Sequence, residues 1–249
     1  NNYGQLGDGT TTQRTTPVQV VPSGVVSVSV GYYHTAFIKS DGSLWVMGYN
    51  NYGELGLGDT TQRNTPVQVV SSGVVSVSAG THFTTFIKSD GSLWGMGYNA
   101  HGELGDGTTT QRNTPIEIIS SGVVSVSAGH YVTRFFKSDG SLWAIGYNTH
   151  GELGDGTTTH RHTPLQMVSS GVASAARGYH HSVFLKSDGS LWATGYNHYG
   201  QLGDGTTTER YTPLQVVSSG VVSVSAGFYH TTFLKSDGSL WATGNNSHG

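Results

Sequence analysis

The sequence has no cysteine, few charged residues and no long apolar run. Without cysteine the chain offers no disulfide, no thiolate metal site and no thiol nucleophile. Charged residues make up 11% of the 249 positions and the net charge is −3, with no basic block, so we expect no nucleic-acid partner. No apolar segment reaches membrane-spanning length, so we expect no membrane partner. No signal peptide is present, and the compartment, secreted or cytoplasmic, stays open.

Glycine, serine and threonine are abundant instead, and the chain repeats itself. The 37 glycines favour short strands joined by tight turns over helices. Tryptophans stand 49 residues apart at Trp45, Trp94, Trp143, Trp192 and Trp241, and most of their neighbours repeat at the same interval. The chain is therefore five copies of one unit, which indicates an array whose single units do not bury a core alone.

Each copy carries the pattern of four strands. In the first copy, Val25–Val30 alternates apolar and small polar residues, the period of a half-buried strand. Residues 35–40 and 43–48 form a predicted hairpin, because Asp41-Gly42 supplies the positive φ angles of a two-residue turn. Residues 16–20 are the fourth strand, and Pro17 places it at a sheet edge because proline lacks the amide donor.

Four strands in about 50 residues is the size of one propeller blade. We predict an all-β, five-bladed β-propeller of four-stranded antiparallel blades, a single domain over residues 1–249. The N-terminal strand 16–20 is expected to join the sheet formed by 221–244. This would close the ring and remove two exposed sheet edges. The alternative is an open solenoid, which would leave both ends uncapped.

The repeat resembles that of the regulator of chromosome condensation (RCC1) family, in a bacterial-type form with near-identical copies. The last complete copy carries the matching strings: Gly227-Phe-Tyr-His-Thr231, Asp237-Gly-Ser-Leu-Trp-Ala-Thr-Gly244, Asn197-His-Tyr-Gly-Gln-Leu-Gly-Asp-Gly205 and Thr212-Pro213. The resemblance covers essentially the whole chain and implies a β-propeller of four-stranded blades. The best-known members have seven blades, whereas this chain has five repeats.

The resemblance does not fix an activity. Relatives include a nucleotide-exchange factor for a small GTPase, a plant ultraviolet receptor, ubiquitin-ligase accessory domains and a bacterial inhibitor of β-lactamase. The exchange factor uses an inserted wedge, and every repeat here is 49 residues long without insertion. The receptor uses a tryptophan in the segment matching 227–231, and no copy has one there. What these relatives share is a rigid disc that binds another molecule through its loops.

Divergence among the copies is concentrated in the turn between the first two strands, which we call the variable turn. It reads Tyr32-Tyr33-His34, Thr81-His82-Phe83, His130-Tyr131-Val132, Tyr179-His180-His181 and Phe228-Tyr229-His230. In a closed ring these turns converge on one face around the central opening. Aromatic rings and imidazoles give a large contact area with few rotatable bonds. The alternative for the third position is a family histidine that bonds backbone within the blade.

Two further sets of positions vary, and two arginines break the period. One set follows the Trp strand and comprises Asn2-Tyr3, Asn51-Tyr52, Ala100-His101, Thr149-His150 and His198-Tyr199. The other follows the periodic arginine at Thr15, Asn64, Asn113, His162 and Tyr211. Arg177 and Arg134 stand where other copies carry small or apolar residues, and each is either a ligand contact or a long side chain extended toward solvent.

We predict a non-catalytic module that binds a protein partner as a monomer. The predicted binding residues are Tyr32, Tyr33, His82, Phe83, His130, Tyr131, Arg134, Arg177, Tyr179, His180, Phe228 and Tyr229. The alternatives are a glycan-binding lectin and a purely structural repeat, natural or engineered by amplification; a GTPase exchange factor ranks last. No catalytic motif, metal site or cofactor is predicted. The repeated Gly-Asp-Gly-Thr stretches are interpreted as turns in which the aspartate caps local amides.

Overall fold

The computed structural model describes residues 1–247, which form strands and turns without helices. No helix long and apolar enough to cross a membrane exists among these residues. The strands are β1 (Val25–Val30), β2 (His34–Lys39), β3 (Leu44–Gly48), β4 (Arg63–Val70), β5 (Val74–Ala79), β6 (Phe83–Lys88), β7 (Leu93–Gly97), β8 (Arg112–Ile119), β9 (Val123–Ala128), β10 (Val132–Lys137), β11 (Leu142–Gly146), β12 (Arg161–Val168), β13 (Val172–Arg177), β14 (His181–Lys186), β15 (Leu191–Gly195), β16 (Arg210–Val217), β17 (Val221–Ala226), β18 (His230–Lys235) and β19 (Leu240–Gly244).

Five antiparallel sheets hold these strands, and we call them blades 1 to 5. Their orders are β1-β2-β3-β4, β5-β6-β7-β8, β12-β11-β10-β9, β13-β14-β15-β16 and β17-β18-β19. The all-β class and the four-stranded blade are thus confirmed for the first four copies. The strand that carries the Thr-Pro dipeptide lies at a sheet edge, as in β4 with Pro66, because proline has no amide to donate to a further strand.

The Asp-Gly turn forms the predicted hairpin with a different turn type. The Lys39 amide donates to the Ser43 carbonyl, and the Gly42 amide donates to the Lys39 carbonyl. Only Gly42 has a positive φ, at 77°, so the connection is a type I turn followed by a glycine bulge. Asp41 instead caps the turn, since its carboxylate accepts from the Ser43 amide at 2.9 Å. The prediction of positive φ at both residues was wrong because the carboxylate favours the ordinary turn.

Apolar side chains from consecutive blades share one core. Ala36 and Leu44 of blade 1 belong to the same buried cluster as Val77 and Phe86 of blade 2. The invariant tryptophan packs within its own blade: the Trp45 ring stacks on Phe37 at 6.3 Å. Each blade therefore completes its burial only against the next copy.

Polar bonds join consecutive blades at both ends of their inner strands. At one end, the Ala79 amide donates to Ser29 Oγ at 2.9 Å, and the Ala128 amide donates to Ser78 Oγ at 2.9 Å. At the other end, the Val74 amide donates to the Gly42 carbonyl. Both kinds of bond recur between blades 2 and 3, where the Val123 amide donates to the Gly91 carbonyl. They fix the position of each of these blades relative to the preceding one.

The chain divides into two compact units. Unit 1 comprises Asn1–Ser138 and Arg161–Pro164; unit 2 comprises Asp139–His160 and the chain from Leu165 onward. The prediction of one domain over 1–249 stays a prediction.

Blade 5, in unit 2, has three strands rather than the predicted four. Leu240 on its edge strand is 74% exposed, whereas the equivalent Leu191 is 1% exposed beneath a fourth strand. Residues 16–20, the expected fourth strand, have no strand pairing in the structure. The closure of a ring by this segment is therefore not shown.

A relay of buried hydrogen bonds runs from His34 through Thr84 to the Glu54 carbonyl and links the first two blades. The substitution Thr84→Val tests its contribution to stability. Thr84 Oγ1 lies 2.8 Å from His34 Nε2 and donates to the Glu54 carbonyl at 2.8 Å. Valine would leave the His34 donor unsatisfied in the core, so we expect a loss of about 1–3 kcal/mol in the free energy of unfolding. Urea denaturation measures it, with Thr11→Val in an exposed turn as the control. Equal stability of the two variants would contradict a structural role for the relay.

Candidate functional site

The variable turns and two neighbouring loop positions bring their rings together. The middle residue of each variable turn meets the tyrosine that follows the Trp strand and the second residue of the Asn-x loop beyond it. In unit 1, Tyr33 contacts Tyr3 and Tyr49, with ring centroids 5.1 and 5.8 Å apart. Two of the variable sets thus lie on the same surface, which we call the aromatic surface.

In unit 1 the contacts form a continuous series. His82 lies 4.9 Å from Tyr52, and Tyr52 lies 5.1 Å from Tyr98. Tyr98 then contacts Tyr131 at 5.4 Å and His101 at 6.0 Å. Ten rings belong to the series: Tyr3, Tyr32, Tyr33, Tyr49, Tyr52, His82, Tyr98, His101, His130 and Tyr131.

Unit 2 carries a second series of the same kind. The Tyr179 and Phe228 rings are stacked at 4.0 Å, and Tyr229 lies 5.1 Å from Tyr199. His150 and His180 lie 4.8 Å apart. The remaining rings of this series are Tyr147, His160, Tyr196 and His198.

The first residues of the variable turns are all exposed or partly exposed. Tyr32 is 69% exposed and Phe228 is 55% exposed, while His130 and Tyr179 are partly exposed. Backbone bonds set these residues in a row, because the Tyr32 amide donates to the Gly80 carbonyl and the Tyr179 amide to the Phe228 carbonyl. These bonds hold the first residues of neighbouring turns at a fixed spacing.

The third residue of the first four turns is buried and belongs to the scaffold, whereas His230 in the fifth turn is exposed. The buried His34 and His181 reach a threonine side chain of the next blade through Nε2, at 2.8 and 3.0 Å, rather than backbone of their own blade. Since Thr84 already donates its hydroxyl hydrogen, His34 donates from Nε2 and stays neutral. Burial, with repulsion from His82, lowers the pKa of His34 to about 3.

Phe83 was predicted to bind and is instead part of the core. It occupies the position of His34 in its blade, is 0% exposed and packs with Leu104 and Ala128. An apolar ring at this position fills the space of the imidazole without needing the threonine. It does not contribute to the surface.

The two aperiodic arginines are withdrawn from solvent to different degrees. Arg134, on β10, is 6% exposed and is not part of the aromatic surface. Arg177 ends β13 and is half-buried, and burial lowers its pKa to about 10. Of the two arginines, Arg177 is the one that precedes a variable turn, Tyr179–His181.

A carboxylate or amide lies beneath the rings in every repeat. Glu54 Oε2 accepts from the Tyr52 amide at 2.9 Å, and Gln5 Oε1 accepts from the Tyr3 amide at 3.1 Å. The same bond recurs at Glu103, Glu152 and Gln201. The loop bond needs only one acceptor oxygen, which glutamine also supplies. The loop therefore does not require the negative charge of glutamate.

The choice between glutamate and glutamine at this position varies with the choice between histidine and tyrosine 28 residues later in the chain. Glutamine accompanies tyrosine in the pairs Gln5/Tyr33 and Gln201/Tyr229, and glutamate accompanies histidine in Glu54/His82 and Glu152/His180. His82 Nδ1 lies 3.6 Å from Glu54 Oε1, and His180 Nδ1 lies 3.4 Å from Glu152 Oε1. The imidazoles thus face the carboxylates.

The third copy breaks this pairing, because Glu103 is accompanied by Tyr131. Glu103 is 0% exposed, and its Oε1 has no hydrogen-bond partner. Burial raises the pKa of Glu103 to about 7. Tyr131 has a φ of 58°, the only positive value of a non-glycine residue among the described ones, which is a sparsely populated conformation for an aromatic residue.

The third variable set and the Gly-Asp-Gly-Thr turns stabilise loops. A Cβ on Gly102 would lie 2.5 Å from His162, so the residue after the periodic arginine packs against the loop of the preceding blade. Asp106 accepts from the Thr108 amide at 3.0 Å and from Arg112 Nε at 2.7 Å, as the capping interpretation predicted. Within residues 1–247 no three His, Asp or Glu side chains are arranged to hold a metal ion.

A family model described as the regulator of chromosome condensation (RCC1) repeat matches residues 1–38, 41–87, 90–135, 139–185 and 188–234. The chain belongs to the RCC1 repeat family. A second model of the same description matches residues 25–54, 74–103, 172–201 and 221–249. The resemblance seen in the sequence is confirmed across the chain.

Solved RCC1-like structures share the fold. Human WBSCR16 is 22% identical with a TM-score of 0.72, covering 89% of this chain and 62% of that one. Prp20p from Saccharomyces cerevisiae is 22% identical with a TM-score of 0.74, covering 90% of this chain and 57% of that one. Yeast RCC1 (Prp20) bound to Kap60 is 23% identical with a TM-score of 0.71, covering 90% and 56%. This RCC1-repeat chain thus has the β-propeller fold and spans about 60% of the length of these proteins.

Sequence reasoning missed the residues beneath the surface. Tyr49 and its equivalents are nearly invariant, so a comparison of the copies does not single them out, although their rings connect the variable ones. Glu54, Glu103 and Glu152 are likewise not among the predicted residues. The exchange of Glu for Gln at this single position, in step with His and Tyr 28 residues later, is the signal that identifies them.

Glu103 gives the stability a pH dependence that Glu103→Gln removes. The pKa is about 7 in the folded chain against an ordinary 4.5, so the folded state binds more protons between these values. The contribution of this raised pKa to the free energy of unfolding is full below pH 4.5 and is lost as pH rises through 7. At pH 8 the variant should exceed the parent in free energy of unfolding by at most about 3 kcal/mol, and by less at pH 5.

Urea denaturation at both pH values provides the measurement. Glu117→Gln, on the exposed edge strand β8, is the matched control, because the four other copies have glutamine there. The control should show the same difference from the parent at pH 5 and pH 8. A Glu103→Gln difference that is independent of pH would show that Glu103 titrates normally.

Proposed function

We propose that this RCC1-family chain is a non-catalytic binding module that recognises a protein partner through the aromatic surface. The observation that carries the proposal is the exposure of the divergent rings on a repeated, buried scaffold. Tyr32 and Phe228 expose more than half of their area, while the third residue of each of the first four turns, such as His34 bonded to Thr84, is buried. Large rings with few rotatable bonds are favoured at protein interfaces.

The surface charge favours a protein over a nucleic acid. The periodic arginines Arg14, Arg63, Arg112 and Arg210 each pair with an aspartate of their own loop, as Arg14 with Asp8 at 2.6 Å and Arg210 with Asp204 at 2.6 Å. They are therefore already neutralised and do not supply a basic patch for phosphates.

The solved relatives are consistent with this proposal. One structure is described with the binding of Prp20p to Gsp1p and histones, and another shows yeast RCC1 bound to Kap60. These partners are those of the yeast protein. They support the proposal that this fold binds proteins. The identity of this chain's partner depends on the residues of its own surface.

Photo-crosslinking tests the location of the interface. A benzophenone amino acid replaces Tyr32 or Phe228, and matched probes replace Gln68 or Gln215, which are exposed on the outer strands β4 and β16. We expect one protein from cell extract to crosslink through positions 32 and 228 and not through 68 and 215. With that protein purified, Tyr32→Ala combined with Phe228→Ala should weaken binding at least tenfold.

Two outcomes would contradict the proposal. Equal crosslinking from the outer-strand probes would place the interface elsewhere. A glycan array on which hits disappear with the Tyr32→Ala, Phe228→Ala variant, without any protein crosslink, would identify the surface as a lectin site instead.

We also propose that residues 16–20 complete blade 5 within a monomeric chain. The edge of β19 is open, and the segment has the Thr-Pro sequence of the fourth strand in the other copies. Deletion of residues 1–21 should then lower the melting temperature or cause concentration-dependent association, because the open edge loses its partner. Light scattering at several concentrations and thermal denaturation measure both. A truncated monomer as stable as the parent would rule out closure by this segment.

A further inference from the structure

Glu54 and His82 face each other beneath the aromatic surface of unit 1 without forming a hydrogen bond. The distance from His82 Nδ1 to Glu54 Oε1 is 3.6 Å, which is too long for one. Both atoms are buried, and neither has another hydrogen-bond partner. The other oxygen of Glu54, Oε2, accepts from the Tyr52 amide at 2.9 Å and holds the carboxylate in place. The two facing atoms therefore have one hydrogen bond to gain from each other.

Tyrosine rings surround the imidazole of His82. Its centroid lies 4.9 Å from that of Tyr52, 5.6 Å from that of Tyr49 and 5.8 Å from that of Tyr33, whose ring is stacked on it. Tyr98 lies farther away, at 6.5 Å. The side chain of His82 is 16% exposed, so a proton reaches it from solvent. The imidazole thus connects a buried carboxylate to the rings of the aromatic surface.

Besides Glu54 and these tyrosines, the titratable group that acts on His82 is His34. Burial, with repulsion from His82, lowers the pKa of His34 to about 3, so this imidazole stays neutral between pH 8 and pH 5. Burial also raises the pKa of Tyr49, so its phenol keeps its proton. An imidazole is the side chain whose charge ordinarily changes in this range. A proton taken up here on acidification is therefore held by the Glu54–His82 pair.

We propose that Glu54 and His82 form a proton-operated switch beneath the aromatic surface of unit 1. Uptake of a proton creates an ion pair, and a charge-assisted hydrogen bond of about 2.8 Å draws the imidazole toward the carboxylate. The rings of Tyr33 and Tyr52 move with it, because they pack on the imidazole. The inference rests on the proposed function in one respect, since a partner bound to these rings would be held differently at pH 8 and pH 5.

Two physical arguments favour closure of the pair after proton uptake. Buried charges are screened less than exposed ones, so the fully buried carboxylate of Glu54 attracts an imidazolium strongly. Aromatic faces attract a cation, and three tyrosine rings lie within 6 Å of His82. The displacement needed, from 3.6 Å to about 2.8 Å, is under about 1 Å and leaves the backbone of the blade in place.

The first copy supplies a version of this site without a titratable pair. Gln5 and Tyr33 occupy the positions of Glu54 and His82, and Gln5 makes the equivalent loop bond at 3.1 Å. The double substitution Glu54→Gln, His82→Tyr therefore installs a pair that the scaffold already accepts. The single substitution Glu54→Gln keeps the imidazole and removes the charge that attracts it.

NMR of the intact chain at pH 8 and pH 5 tests the switch. Nuclear Overhauser effects from the ring at position 82 to the rings of Tyr33 and Tyr52 report the distances between them. We expect these effects to change between the two pH values in the parent, and the change to be lost in Glu54→Gln and in the double variant. Tyr98 is not a suitable reporter, because it also faces His101. Circular dichroism confirms that each variant is folded.

Ring distances that are the same at pH 8 and pH 5 in the parent would overturn the proposal. An equal pH response of the parent and Glu54→Gln would overturn it as well, since the movement would then not depend on the carboxylate. Both results are distinct from the failure of the proposed function, because crosslinking through positions 32 and 228 reports a protein partner whether or not these rings move.

Discussion

The structure depends on the burial of each blade against the next copy. Ala36 and Leu44 of blade 1 reach zero exposure only beside Val77 and Phe86 of blade 2, since one four-stranded sheet has too little apolar area to bury itself. Hydrogen bonds also join these two blades, as from the Ala79 amide to Ser29 Oγ. Stability is therefore distributed along the array instead of being concentrated in one core.

This constraint also separates structural from recognition residues within a short turn. The third residue of the variable turn enters the interface, as His34 does through Thr84 or Phe83 does by apolar packing. The first residue points away from it, and Tyr32 remains largely exposed. The positions of this turn thus differ in the substitutions that they tolerate. The first position, which lies outside the interface between blades, can vary without disturbing the blade.

The residues below the rings show how a repeat changes its chemistry without changing its backbone. Gln5 and Glu54 make the same loop bond, yet glutamate adds a charge to the aromatic surface. His82 faces that charge in one copy, and in the next copy, where Tyr131 replaces the histidine, burial raises the pKa of Glu103. Single substitutions in a near-identical array therefore create distinct local sites.

Local patterns were sufficient for much of the fold. The alternation in Val25–Val30 and the Asp41-Gly42 hairpin follow from side-chain period and backbone chemistry, and each was predicted in place. The edge strand predicted at residues 16–20 has no strand pairing, whereas the equivalent Thr-Pro segment with Pro66 does lie at a sheet edge. The turn type at Asp41 was missed because a carboxylate that caps the next amide competes with the positive-φ conformation.

The sequence by itself determined the 49-residue period, the strands within it and the positions that vary. Only the tertiary structure decided which variable side chains are accessible. Phe83 and Arg134 are buried, and Glu103 lies under rings that are adjacent in space and distant in the chain. The physical reason is that accessibility is set by the neighbouring blade, whose contacts no pattern within one repeat records.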